Sequence, residues 1–167
     1  MAWAALEDGW ALEVRWMLDD AGCPASVNAE RYLRMLSEDV WPEVRARAGQ
    51  LRYWWQQDGA TSHVTNDVIM FLNAKFRGWL ISRQSDIGWP PYSPDLNPLD
   101  YFFWGYAMMH VRRQKPTTID ELKAIVEDVA HTVPVEMICK SVAGIKKRCR
   151  ACIQAEGGHF ESFLKKM

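Results

Sequence analysis

The stretch Gly88-Trp89-Pro90-Pro91-Tyr92-Ser93-Pro94-Asp95-Leu96-Asn97-Pro98 constrains this chain more than any other. Trp89, Ser93 and Asn97 each precede a proline, whose ring clashes with helical backbone at the residue before it and pushes that residue toward extended geometry. The pattern predicts a stiff, extended connector. It closes on a helix start, with Asn97 as N-cap, Pro98 at the first helical position and Asp100 in the first turn. Phe102, Phe103 and Tyr106 carry that helix onward.

On either side of the connector the periodicities differ. Residues 10–18 alternate, with Leu12, Val14, Trp16 and Leu18 on one side and Glu13 and Arg15 on the other, the pattern of a strand with one wet face. Asp19-Asp20-Ala21-Gly22 reads as the turn that ends it. After Asn28, an adequate N-cap, Tyr32, Leu33, Leu36 and Val40 recur at helical spacing and predict a helix over 29–41. The β-prone run 51–57 stops at Asp58-Gly59, Val68, Ile69, Leu72 and Phe76 mark another helix, and Trp79-Leu80-Ile81 a short strand. Downstream, Thr118-Ile119-Asp120-Glu121 is a capping box ahead of Leu122, Ile125, Val126 and Val129. A last long helix carries Ile138, Val142, Ile145, Cys149 and Cys152. Strands alternating with helices indicate α/β, with the C-terminal third all helical.

The composition suits a single globular domain: 167 residues, 49% apolar and 25% charged, with nine tryptophans that make much of the core or an interface aromatic. No run approaches the roughly 18 apolar residues of a membrane helix, and the N-terminus lacks a basic-then-apolar secretory pattern. Four scattered cysteines point to a reducing compartment. A net charge of −1 excludes a chain that coats itself in nucleic acid, yet basic residues cluster at Arg112, Arg113 and Lys115 and at Lys146, Lys147, Arg148 and Arg150. Such stripes contact phosphates or are solvated helix faces.

Asp58 at the end of a strand, followed by Gly59-Ala60, is the first candidate for chemistry, because open α/β sheets bind ligands at strand ends. Asp100 is the second, although first-turn acids commonly only complement the helix dipole. Asp95, in Ser-Pro-Asp-Leu, suits a loop-fixing hydrogen bond better than a metal contact. Cys149 and Cys152 with Cys139 and His159 have a zinc-like composition, but both fall on an apolar stripe. P-loop, dinucleotide-binding and nucleophile-elbow motifs are not found in the sequence.

Tyr53-Trp54-Trp55-Gln56-Gln57-Asp58-Gly59-Ala60 with His63 resembles the second-aspartate motif of mariner-like DDE/DDD transposases. The run from Trp89 through Phe102 resembles their third-carboxylate motif, with Asp100, after Asn-Pro-Leu, as the carboxylate. Asn28–Leu33 and Gly157-Gly158-His159-Phe160 are similar to flanking family segments. The 41 residues between Asp58 and Asp100 fit a long-spacer branch. The resemblance implies a ribonuclease-H-like mixed sheet flanked by helices and magnesium- or manganese-dependent DNA cleavage and strand transfer. In that chemistry two ions clamp the attacking and leaving oxygens of an in-line displacement. It further implies Asp58 and Asp100 as catalytic, metal-holding residues, DNA (transposon ends and target) as partner, a possible homodimer and a nuclear location. For the family's first carboxylate, on the first strand, the only upstream Asp residues outside the helix read over 29–41 are Asp8, Asp19 and Asp20. Residues 1–167 therefore read as a partial catalytic domain without that strand or an N-terminal DNA-binding domain, weak or inactive in catalysis. The alternative is a non-catalytic DNA- or protein-binding remnant.

Overall fold

The computed structural model describes residues 2–7, 10–19, 21–48 and 53–164. In chain order the elements are strands β1 (Ala2–Glu7) and β2 (Trp10–Trp16), helices α1 (Ala29–Met35) and α2 (Trp41–Ala48), strand β3 (Trp55–Gln56), helix α3 (Asn66–Lys75), strands β4 (Leu80–Ser82) and β5 (Ile87–Gly88), and helices α4 (Trp104–Gln114), α5 (Ile119–Thr132), α6 (Val135–Gln154) and α7 (Glu161–Leu164). They form two compact units, Met17–Ser93 and Ala2–Trp16 with the chain from Pro94 on.

In the first unit, β3, β4 and β5 form a parallel sheet in that order, Trp55 opposite Leu80 and Ile81 opposite Ile87. The Ser85 hydroxyl ties the β4–β5 connection, accepting the Ser82 N–H at 2.9 Å and lying 2.8 Å from the Ile87 carbonyl. Asn28 caps α1 as its sequence suggests, accepting the Arg31 N–H. The helix does not stop at residue 41. It widens at Leu36–Val40, where the Trp41 N–H reaches the Leu36 carbonyl, and continues as α2. Pro42 accounts for the widening, since proline has no N–H to continue the regular ladder. Tyr32, Leu36, Val68 and Leu72 are almost wholly buried, and the Phe76 ring sits 5.1 Å from Trp55 and edge-on to Trp41.

The strand read over 10–18 ends at Trp16. Leu18 instead bridges Pro24, and the Asp19 carboxylate accepts the N–H groups of Ala21 and Cys23, closing the turn on Gly22 at φ 77°. The connector is not wholly extended either. Tyr92 adopts φ 51° and Pro94–Leu96 form a tight helical turn, with Pro94 at its first position, where proline's fixed φ is already suitable. The prolines restrain only the residues before them.

In the second unit β1 and β2 form an antiparallel hairpin with a bulge between Ala5 and Glu7. Its inner face meets α4 and α5 around Ala4, Phe103, Ala107, Val129 and Ala130, with Leu6 and Val14 packed against them. The Trp16 indole N–H donates to Glu127 on α5. The capping box is complete: Glu121 N–H donates to the Thr118 hydroxyl while the Glu121 carboxylate accepts the Thr118 N–H. Phe160 is fully buried after the turn at Gly157, at φ 82°. Among the described residues no ladder joins the two sheets, and no helix is long and apolar enough to cross a membrane.

Candidate functional site

Asp58 comes one residue after Gln57, whose N–H still donates to the Ile81 carbonyl of β4, so the sheet fixes the backbone leading into it. One carboxylate oxygen, Oδ1, accepts the Ala60 N–H at 3.1 Å and meets His63 Nδ1 at 2.6 Å. A carboxylate only accepts, so the ring proton of this contact belongs on Nδ1. The hydrogen bond from His63 holds the Asp58 carboxyl below its ordinary 3.8, helped by the Ala60 N–H and opposed by burial. Asp58 is therefore ionised at neutral pH, and its Oδ2 takes no hydrogen bond from the described residues.

His63 is itself held. Its ring stacks on Tyr32 with centroids 4.2 Å apart, and its carbonyl accepts Gln57 Nε2 at 2.7 Å. Gln57 is buried and makes two further bonds, accepting the Tyr32 hydroxyl at 3.1 Å and donating to the Ser82 hydroxyl at 3.0 Å. One glutamine thus connects α1, β4 and the His63 loop immediately before the acidic residue.

Asp100 lies in the second unit, exposed, in a widened turn over Leu99–Phe103. Its Oδ2 accepts Asn97 Nδ2 at 2.8 Å, and the Asn97 carbonyl accepts the N–H groups of both Asp100 and Tyr101. The next residue anchors the turn: the Tyr101 hydroxyl donates to the Ser141 carbonyl on α6 at 2.6 Å, and its ring lies 4.0 Å below the Arg148 guanidinium. Burial pushes the Tyr101 phenol up to about 12, with the Arg148 charge opposing.

The basic residues separate by environment. Arg112 and Arg113 are exposed in the last turn of α4, where cations complement the helix dipole, and exposed Lys115 takes the left-handed cap position at φ 52°. Lys146, Lys147 and Arg150 are exposed on α6. Arg148 is largely buried, donating to the Asp95 carbonyl at 3.0 Å and pairing with Glu161 at 3.5 Å. Of the upstream acids, Asp19 is engaged in its turn, whereas Asp8 and Asp20 lie outside the described residues. Among the described residues no three His, Cys, Asp or Glu side chains cluster as metal ligands. Burial raises the Cys149 thiol, with Cys152 adding to the effect.

The elements match the mixed α/β, ribonuclease-H-like fold of the Mos1 catalytic domain. The crystal structure of the catalytic domain of Mos1 mariner transposase matches 90% of this chain and 69% of its own, with a TM-score of 0.72 and 21% identity. Mos1 catalytic domain with Raltegravir and Mg matches 93% of this chain and 74% of its own at 0.76 and 20% identity. A Mos1 paired-end complex with the left transposon end matches 96% of this chain and 44% of its own at 0.74 and 19% identity.

The sequence relatives are transposases of the Tc1/mariner kind. Transposable element Tc3 transposase of Caenorhabditis elegans is 25% identical over 159 residues, 94% of this chain, and Tcb1 transposase of Caenorhabditis briggsae is 25% identical over 127 residues, 75% of it. The chain spans less than half the length of either, 44% and 43%. No protein-family model matches it.

Sequence reasoning did not single out Gln57, Tyr32, Tyr101 or the separate role of Arg148. The only available signal was adjacency: Gln57 and Tyr101 each neighbour a candidate carboxylate.

Proposed function

We propose that this chain is part of a transposase-derived endonuclease domain of the DDE type, acting on DNA in the nucleus, with Asp58 and Asp100 as its metal-holding carboxylates. The observation that carries the reading is the division of labour at Asp58. Oδ1 is fixed by His63 and Ala60, while Oδ2 on an ionised carboxylate takes no hydrogen bond from the described residues. Hard oxygen donors of this kind suit Mg2+ or Mn2+, and the Mos1 transposase catalytic domain has been solved with Mg and with Mn. A bound divalent ion supplies Lewis acidity and an activated water for phosphodiester displacement. The chain's own contribution is to keep Asp58 ionised and in one rotamer through His63, and to hold the Asp100 turn through Asn97 and Tyr101. Residues 1–167 belong to one partial catalytic domain in this reading, with transposon-end and target DNA as partners and a homodimer as its working state.

Plasmid nicking by the purified chain in Mg2+ or Mn2+, beside Asp58→Asn and Asp100→Asn, tests this reading. Nicking that both substitutions abolish supports it. A folded chain that neither nicks DNA nor binds Mn2+ refutes it. The exposure of Lys146, Lys147 and Arg150 on one helix supports a second reading, a non-catalytic DNA-binding remnant. That reading expects DNA binding that weakens steeply with salt and does not need Asp58.

A further inference from the structure

Four basic residues in the run 146–150 invite a single interpretation as a phosphate-binding stripe, but one of them is built differently. The Arg148 side chain is only 19% exposed. Nη1 donates to the Asp95 carbonyl at 3.0 Å, the Glu161 carboxylate of α7 lies 3.5 Å away, and the plane covers the Tyr101 ring at 4.0 Å. The Tyr101 hydroxyl grips the same helix about two turns earlier on the same face, at the Ser141 carbonyl. Asp95 and Tyr101 bracket Asp100 in the chain. The turn over Asn97–Asp100 is closed locally by its own short bonds, from Asn97 Nδ2 to Asp100 and from the Leu99, Asp100 and Tyr101 N–H groups to Asn97.

We propose that Arg148 is a positioning residue for Asp100: together with Tyr101 it clasps both ends of the Asp95–Tyr101 segment to α6, and it is not a phosphate contact. The inference rests on the reading of Asp100 as a metal-holding carboxylate. An arginine suits the task because its planar fork bonds a carbonyl and a carboxylate while its face stacks on an aromatic ring, which a lysine ammonium cannot do at once. The neighbours Lys146, Lys147 and Arg150 point elsewhere on the helix and stay exposed, so the run divides into three solvent-facing cations and one internal fastener.

Hydrogen exchange on the full chain, resolved to the amides of Asp100 and Tyr101, tests the clasp in Arg148→Met, with Arg148→Lys and a Lys146→Ala, Lys147→Ala, Arg150→Ala triple variant alongside. Arg148→Met should speed exchange of those two amides by about tenfold or more, as loss of a charge-assisted hydrogen bond predicts, while α5 amides keep their rates. Arg148→Lys, which keeps the charge and loses the fork, should recover only part of the protection. Mn2+ titrated by electron paramagnetic resonance should bind Arg148→Met more weakly, in the direction of Asp100→Asn. Salt dependence of binding to a short DNA duplex should be unchanged in Arg148→Met, whereas the triple variant should flatten the slope by about one unit per lost contact.

Unchanged amide exchange in Arg148→Met overturns the proposal. So does a salt slope that Arg148→Met flattens as one of the exposed cations would. If Arg148→Met does not fold, Arg148→Lys decides by the same exchange measurement. A wild-type chain that binds no Mn2+ defeats the endonuclease reading instead, and the exchange result still decides whether the clasp exists.

Discussion

Gln57→Met should destabilise the chain far more than a surface substitution, because it removes one member of a buried polar network and leaves the others in place. Methionine matches glutamine in length and fills the same space, so little cavity forms. What is lost is three hydrogen bonds, at 3.1 Å from the Tyr32 hydroxyl, 3.0 Å to Ser82 and 2.7 Å to the His63 carbonyl. The Ser82 side chain has no exposure through which water could replace its partner. At roughly 0.5–1.5 kcal/mol per bond, the loss comes to about 2–4 kcal/mol. With a urea slope of about 2 kcal/mol per molar, the midpoint should fall by about 1–2 M. Urea titration followed by tryptophan fluorescence measures it, with the adjacent Gln56→Met as control, expected to change stability by less than about 0.5 kcal/mol. A Gln57→Met loss below about 1 kcal/mol, or equal to that of Gln56→Met, would refute the network as the support of the His63 loop.

Asp58→Asn carries a pH signature. The native carboxyl ionises more readily than an unfolded one, so its contribution to stability is complete above the ordinary 3.8 and fades as pH falls through the lower native value. Wild type should therefore exceed Asp58→Asn in melting temperature at pH 6, and the gap should close in acid; a gap that persists or widens there contradicts the assignment. Thr118→Ala should cost about 1 kcal/mol by removing the hydroxyl that accepts the Glu121 N–H. Thr118→Ser should restore most of it, as read by urea titration.

The parts legible in the sequence are those set by neighbours along the chain. The Thr118–Glu121 box closes as read and Asn28 caps its helix, because each depends on residues within four positions, whereas of the strand read over 51–57 only Trp55–Gln56 is strand among the described residues. The strand β1 escaped notice since Ala-Trp-Ala-Ala-Leu-Glu is nearly all apolar and shows no alternation, leaving no period to detect. Gln57 escaped for a different reason: its partners Tyr32 and Ser82 stand 25 residues away on either side, and only the fold brings them together. Arg148 was hidden among equals. Nothing local distinguishes it from Lys147, and its carbonyl partner is 53 residues upstream.

The position of β3 has a consequence for handling the molecule. Among the described residues it is the outer strand of its sheet, with backbone donors at Trp55 and Gln57 directed to β4 and only two residues in the ladder. Its neighbour Trp54 is half-exposed. A short, uncharged edge flanked by indoles is a template for another strand, and a net charge of −1 gives little mutual repulsion to keep copies apart. Self-association on concentration should thus begin at Trp54–Gln56, and a lysine in place of Trp54, although it gives up the ring contact with Trp79 at 4.8 Å, is the substitution that should suppress it.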